Sequence, residues 1–144
     1  MRVKIYGKEG AFIPEYATSG SAGMDIRAFT EKPVRLCPME RALVPTGLFI
    51  ELPVSYEAQI RARSGLAHKS GITLANAVGT IDSDYRGEIM VAIINLGAED
   101  YVINNGDRIA QMVVAKHETV EWEECSKLGE TQRGKGGFGH TGRD

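Results

Sequence analysis

The chain has 144 residues, 42% of them hydrophobic, and a formal net charge of −2 at pH 7. That length and apolar content suit one globular domain with a buried core, and the near-neutral balance excludes the broad basic field that drives nucleic-acid binding. Apolar runs such as IMVAII are far too short to span a bilayer and the opening MRVKIYGKEG lacks a signal-peptide apolar stretch, so a cytoplasmic protein with no nucleic-acid or membrane partner is expected.

In chain order, MDIRAF alternates Met24, Ile26 and Ala28 against Asp25 and Arg27, the period of a half-buried strand. ALVPTGLFIEL is rich in β-formers but interrupted by Pro45 and Gly47, which predicts an edge, a bulge or two strands with a bend. YEAQIRAR alternates without a break, Tyr56, Ala58, Ile60 and Ala62 opposing Glu57, Gln59, Arg61 and Arg63. SGLAHKSG alone looks helical: about two turns, capped by Ser64 and stopped by Gly71. NAVGTIDSDYRGE predicts a polar turn in a hairpin, and EIMVAIINL a strand buried on both faces. NNGDRIAQMVVAKH predicts a turn at Asn104-Asn105-Gly106 and a further strand. Trp122 is expected to pack on the body before a tail begins. Many short strands without long helices indicate an all-β sandwich or barrel.

Composition changes near Cys125, dividing a body over 1–125 from a glycine-rich arm over 126–144. Ordering such an arm costs about 1–2 kcal/mol of backbone entropy per residue with little apolar burial in return, so it is expected to be disordered in the empty protein. Cys37 and Cys125 are expected to remain buried or idle thiols in a reducing compartment. His68, His117 and His140 lack metal-ligand spacing, which argues against structural zinc.

Several residues bear on chemistry. Asp82 and Asp84, followed by Tyr85 and Arg86, read either as turn-forming aspartates or as a general base beside an aromatic wall, and spacing alone does not choose. Arg63 and Ser64 precede a short helix whose free N–H groups attract anions, or form an ordinary cap with a solvated arginine. Gln111 in an apolar strand reads by itself as a satisfied core residue, and Asp107 with Arg108 as a structural pair. In the arm, Gly134, Gly136 and Gly139 satisfy G-x-G-x-x-G, but a phosphate loop needs a strand before it and a helix after it, and three residues follow Thr141.

Five stretches taken together, AGMDIRA from Ala22, RSGLAHKSGI from Arg63, NAVGTIDSDYRGE from Asn76, GDRIAQMVV from Gly106 and RGKGGFGHTG from Arg133, resemble in order and spacing the motifs of the homotrimeric dUTP pyrophosphatases, the dUTPases. The resemblance implies a β-clip, a distorted jelly roll of short strands with one short helix, assembled as a homotrimer with sites at subunit boundaries. It implies Mg2+-assisted hydrolysis of dUTP to dUMP and pyrophosphate, keeping uracil out of DNA and supplying dUMP for dTMP synthesis. Asp82 then corresponds to the base that activates water at the α-phosphorus, and Tyr85 to the ring against the deoxyribose. Asn76 and the hairpin backbone around Gly79 and Met90 correspond to the uracil reader, and Arg63, Ser64, Gly65 and Gln111 to the phosphate holders. No residue is implied as a direct magnesium ligand; Asp25 supports either the metal's water shell or the arginine cluster. In the arm, Arg133 and Thr141 reach the terminal phosphate, Phe138 covers the uracil, and Gly139 and His140 lie between them; His140 stands where the family usually has serine. The arm's glycines suit close approach to a ligand, so it would act as a lid. The related dCTP deaminases carry a catalytic glutamate where this chain has Ala92, and a non-catalytic nucleotide-binding trimer is disfavoured by Asp82, Tyr85 and Arg133.

Overall fold

A computed structural model describes residues 1–137. Its strands are β1 (Lys4–Gly7), β2 (Met24–Arg27), β3 (Val34–Leu36), β4 (Arg41–Pro45), β5 (Leu48–Glu51), β6 (Tyr56–Arg61), β7 (Ile72–Leu74), β8 (Gly79–Ile81), β9 (Met90–Asn95), β10 (Tyr101–Ile103) and β11 (Arg108–Lys116), with one helix, α1 (Ser64–Ser70), between β6 and β7. The strands form a four-stranded sheet ordered β2-β11-β6-β8, a three-stranded sheet ordered β4-β9-β7, and the pairs β1-β5 and β3-β10. Every pairing is antiparallel. This is the expected all-β architecture with one short helix. Among the described residues no helix is long and apolar enough to cross a membrane.

The alternating stretches bury the faces their period implies. Ile26 and Ala28 from the β2 segment and Ala58 and Ile60 from β6 point into a core shared with Leu36, Val44, Leu48, Ile93 and Ile103. Among the described residues two polar side chains lie fully inside this core, and both are satisfied, as burial demands. Thr46 Oγ1 donates to the Ile89 carbonyl at 2.6 Å and accepts the Leu48 N–H at 3.2 Å. Asn95 Nδ2 donates to the Leu36 and Glu99 carbonyls at 2.9 and 2.8 Å, while its oxygen accepts the Gly97 N–H at 2.9 Å. Short strands belonging to different sheets are thus tied together where loops would otherwise leave backbone unpaired.

Several expectations need correction. Pro45 to Gly47 does make the bend, but it separates β4 and β5 into different sheets. β9 is not buried on both faces: Val91, Ile93 and Asn95 are buried, whereas Met90, Ala92 and Ile94 are only half-buried in the single chain. β8 and β9 do not form a paired hairpin, because β8 pairs with β6 and β9 with β4 and β7. The helix begins at Ser64 itself, with Arg63 in the N-cap position and no side-chain cap. Trp122 is 87% exposed rather than packed on the body. Cys37 and Cys125 are free and both exposed.

Candidate active site

Two groups of side chains stand out on the four-stranded sheet. The first is built around Asp25 in β2, which lies opposite Gln111 in β11, itself opposite Arg61 in β6. Asp25 Oδ1 accepts from Arg63 Nε at 3.1 Å and from Gln111 Nε2 at 3.3 Å, and Oδ2 accepts from Arg108 Nη1 at 3.1 Å. Arg63 also donates to the Arg108 carbonyl at 3.3 Å. Burial pushes the Asp25 carboxyl up, but the Arg63 charge and the hydrogen bonds from Gln111, Arg63 and Arg108 outweigh it and hold the group below its usual value. Two arginines against one carboxylate leave the cluster net positive. Two of the five Arg63 donors are engaged among the described residues, so the guanidinium is oriented without being used up.

Ser64 and Gly65 follow Arg63 as the first helical residues, both exposed. Their N–H groups precede the first intrahelical bond, and no side chain caps them. The end of β6 and the start of α1 therefore present open backbone donors beside a cationic cluster, an arrangement that suits phosphate.

The second group surrounds a cavity of about 160 Å3 lined by Thr80, Ile81, Asp82, Tyr85, Glu88 and Met90. Asp82 and Tyr85 close a turn in which the Tyr85 N–H donates to the Asp82 carbonyl at 3.2 Å. The Tyr85 hydroxyl donates to the Glu88 carbonyl at 3.0 Å. At the other end of β8, Asn76 and Ala77 enter a turn with Ala77 at φ 61°, a left-handed conformation that costs an alanine strain. Gly79 is buried there, and an added Cβ would stand 3.2 Å from Asn76 Nδ2 and 3.3 Å from Ile60 Cβ. The cavity is smaller than the roughly 300 Å3 of an ordinary ligand pocket.

Register fixes how far apart the two groups lie. β6 and β8 pair as Ala58–Ile81, Gln59–Thr80 and Ile60–Gly79, so extending β8 by one residue brings Asp82 level with Glu57. Asp25 lies level with Arg61 through Gln111, four residues along and three strands across. At about 3.3 Å per residue and 4.8 Å between strands, the Asp25 and Asp82 backbones are on the order of 20 Å apart.

The structure thus gathers Asp25, Arg63 and Gln111 in one place, with Ser64 and Gly65 adjoining. It gathers Asp82, Tyr85 and Met90 in another, with Asn76 and Gly79 at the far end of the same short strand. Arg133 is exposed, its Nε donating to the Gly136 carbonyl at 2.8 Å within a local turn. Phe138, Gly139, His140 and Thr141 lie outside the described residues. Gln111 is not a core glutamine but a half-buried member of the cluster. Asp107 and Arg108 do not pair: Asp107 accepts the Asn104 N–H at 2.7 Å, and Arg108 turns to Asp25. Arg108 was missed because a register shift between Arg108 and Ala110 redirects its side chain, and a strand pattern does not announce a bulge. Glu88 was missed as well, although it stands in the same motif as Asp82.

Among the described residues no group of three or more His, Cys, Asp or Glu side chains is placed to hold a metal. Both Asp25 oxygens are occupied by cationic or amide donors. This donor set suits phosphate, and it fits a magnesium ion held by phosphate oxygens and water, the ligands that ion prefers.

A family model described as dUTPase matches residues 9–142. The deoxyuridine 5'-triphosphate nucleotidohydrolase of Finegoldia magna is 56% identical over 142 residues, covering 99% of each chain. That of Rickettsia felis is 62% identical, covering 99% of this chain and 96% of the relative. Among solved structures, a Staphylococcus bacteriophage 80alpha dUTPase with dUpNHpp superposes with a TM-score of 0.89 at 25% identity, covering 98% of each chain. Such an enzyme carries the jelly-roll, β-clip arrangement of short strands described above. Five sequence motifs, the match across nearly the whole chain and the shared architecture all lead to the same placement: the chain belongs to the dUTPase family.

Proposed function

We propose that the chain hydrolyses dUTP to dUMP and pyrophosphate in Mg2+-dependent sites shared between subunits of a homotrimer, keeping uracil out of DNA and supplying dUMP for dTMP synthesis. Full-length relatives named for this hydrolysis, and a phage relative solved with the dUTP analogue dUpNHpp, support the substrate. The observation that carries the shared-site reading is the separation of Asp82 from the Asp25–Arg63–Gln111 cluster. A general base must lie within hydrogen-bond reach of the water it activates, and that water must reach a phosphorus held by the cationic cluster. With Arg63 held down on Asp25, a triphosphate cannot bridge both groups of one chain. Subunits around a three-fold axis can bring one chain's Asp82 to another's cluster.

In this reading Asp82 accepts a proton from water as the water oxygen bonds to the α-phosphorus. The bond from that phosphorus to the α–β bridging oxygen breaks, and pyrophosphate leaves. A positioned carboxylate contributes roughly 10²- to 10⁴-fold. Arg63, Gln111 and the N–H groups of Ser64 and Gly65 hold the phosphates and offset developing charge. Held by the nucleotide's phosphates and water beside the Asp25–Arg63–Gln111 cluster, Mg2+ would supply Lewis-acid polarisation of the phosphate oxygens.

Tyr85 stands against the deoxyribose, and Asn76 with backbone near Gly79 and Met90 reads the uracil edge. Cytosine presents the reverse donor–acceptor order and would leave buried groups unpaired. The arm over 126–144 closes across a site belonging to other subunits, bringing Arg133 and Thr141 to the terminal phosphate and Phe138 over the base, with Gly139 and His140 between them in the chain. Free, exposed thiols at Cys37 and Cys125 suit a reducing cytoplasm.

The test is pyrophosphate release from dUTP, dCTP, dTTP and UTP in parallel, with the mass in solution measured on the same sample. Strong preference for dUTP from a trimer is expected. Equal turnover of dCTP, or full activity from a monomer, overturns the reading.

A further inference from the structure

We propose that Gly87 sets the sugar selectivity of the site, because its missing side chain is what allows the Tyr85 ring to fold back over the 85–88 loop and occupy the space beside the deoxyribose. This rests on Tyr85 facing the sugar, as proposed above. It adds that the ring's position is imposed by its neighbours, so that the presence of a tyrosine is not sufficient.

The loop is anchored at both ends. Arg86 Nη1 donates to the Ser83 and Tyr85 carbonyls at 2.7 and 2.9 Å, fixing the turn from within. Glu88 anchors it to the body: its carboxylate accepts the Gly47 N–H at 2.8 Å and pairs with Lys8 Nζ at 2.6 Å. Ile89, fully buried, donates its N–H to the Leu48 carbonyl at 2.8 Å. The Glu88 carbonyl that receives the Tyr85 hydroxyl is therefore a fixed acceptor, and the ring must cross Gly87 to reach it.

At Gly87 there is no room for a methyl group. An ideal Cβ would stand 2.5 Å from Tyr85 Cζ and 2.9 Å from Cε2, and it would collide with the hydroxyl. Gly87 is not among the residues with positive φ, so alanine is compatible with its backbone. Every obstructing atom belongs to the far end of one side chain, which is 43% exposed. The ring can swing outward without disturbing the core. A methyl at Gly87 thus displaces the tyrosine and leaves the fold intact.

The experiment measures kcat/KM for dUTP and UTP in the parent, Gly87→Ala, Tyr85→Ala and the double variant, with thermal melting of each. Discrimination against an added hydroxyl by a wall that does not hydrogen-bond it is on the order of 10², and losing the wall's position should raise the UTP:dUTP ratio about tenfold. Gly87→Ala and Tyr85→Ala should each produce that rise, the double variant should show no further rise, and Gly87→Ala should melt close to the parent. A changed ratio in Tyr85→Ala but not in Gly87→Ala overturns the role of Gly87. So does an equal effect of Gly87→Ala when the ring is already gone, or failure of Gly87→Ala to fold, since the backbone would then be taking the strain. An unchanged ratio in Tyr85→Ala overturns instead the placement of that ring against the sugar, and this proposal falls with it.

Discussion

Asp25 shows how one carboxylate organises a cationic surface. Its folded-state pKa lies below the ordinary 3.8 because the arginines and Gln111 favour the ionised form more than burial opposes it. A depressed carboxyl contributes stability that is fully present above the unfolded value and is lost as pH falls through the folded one. Asp25→Asn should therefore be less stable than the parent at pH 7, by about 1–3 kcal/mol for the lost charged acceptor. The gap should close as pH drops below 3.8. Urea midpoints at fixed protein concentration check this, and a gap that stays constant to low pH would refute the linkage. Asp82 is expected to behave differently, since it is exposed and accepts no side-chain donor among the described residues. Asp82→Asn should keep its melting temperature and nucleotide binding while kcat falls about 10²-fold or more; turnover at the parent rate would reassign the base to Asp84 or Asp25. At this scale the sequence marked most positions that the structure gathers, but it did not show their partners. Asp25 was readable as a polar residue on a strand, whereas its contact with Arg108 depends on a bulge that no periodicity encodes.

Elements were more legible where one face is buried. The alternation in YEAQIRAR places β6 and its buried residues correctly, because a period of two has physical meaning only with the apolar set inward. Pairing was less legible. A strand pattern reports which face is apolar and does not report which neighbour supplies hydrogen bonds, so β8 and β9 read as one hairpin although they belong to different sheets. The helix start was misplaced by one residue for a related reason: Ser64 is a good cap by type, but the capping position falls on Arg63, drawn toward Asp25. The helix end was clear, because Gly71 is required there. It adopts φ 68°, its N–H reaches the Ala67 carbonyl, and an added Cβ would stand 2.6 Å from Gly97 Cα. Gly71→Ala combines left-handed strain with a backbone clash and should cost about 2–4 kcal/mol. A melt indistinguishable from the parent's would show that α1 can shift away from Gly97, and with it the Ser64 and Gly65 donors. If α1 does not shift, kcat/KM should fall less than stability does.

On the scale of the whole molecule, two features of the single chain bear on the proposed trimer. The outer face of β9 leaves Met90, Ala92 and Ile94 half-buried with Leu43 exposed beside them, apolar surface that contacts within the proposed trimer would cover. The candidate base and the phosphate cluster also lie on the order of 20 Å apart on one sheet, by strand rise and spacing. Motif order in the sequence could not reveal that distance, because it emerges only from the register of β2, β11, β6 and β8. It leads to a test of how sites are shared. Asp82→Asn and Arg63→Ala homotrimers should each be nearly inactive, the first lacking the base and the second a phosphate-holding cation. If each site takes Asp82 from one subunit and Arg63 from another, co-expression restores both groups wherever an Arg63→Ala chain supplies the base and an Asp82→Asn chain supplies the cluster. Random equal mixing makes about a quarter of base–cluster pairs intact, because each partner has an even chance of being the right chain. Activity near a quarter of the parent's is therefore expected from the whole co-expressed population, and about a third from mixed trimers freed of homotrimers, since each of those has one intact pair in three. If one chain furnished both groups to its own site, every site in every mixture would still lack one of them. Mixed trimers identified by mass, with activity no higher than that of the separate variants, would overturn the shared-site arrangement.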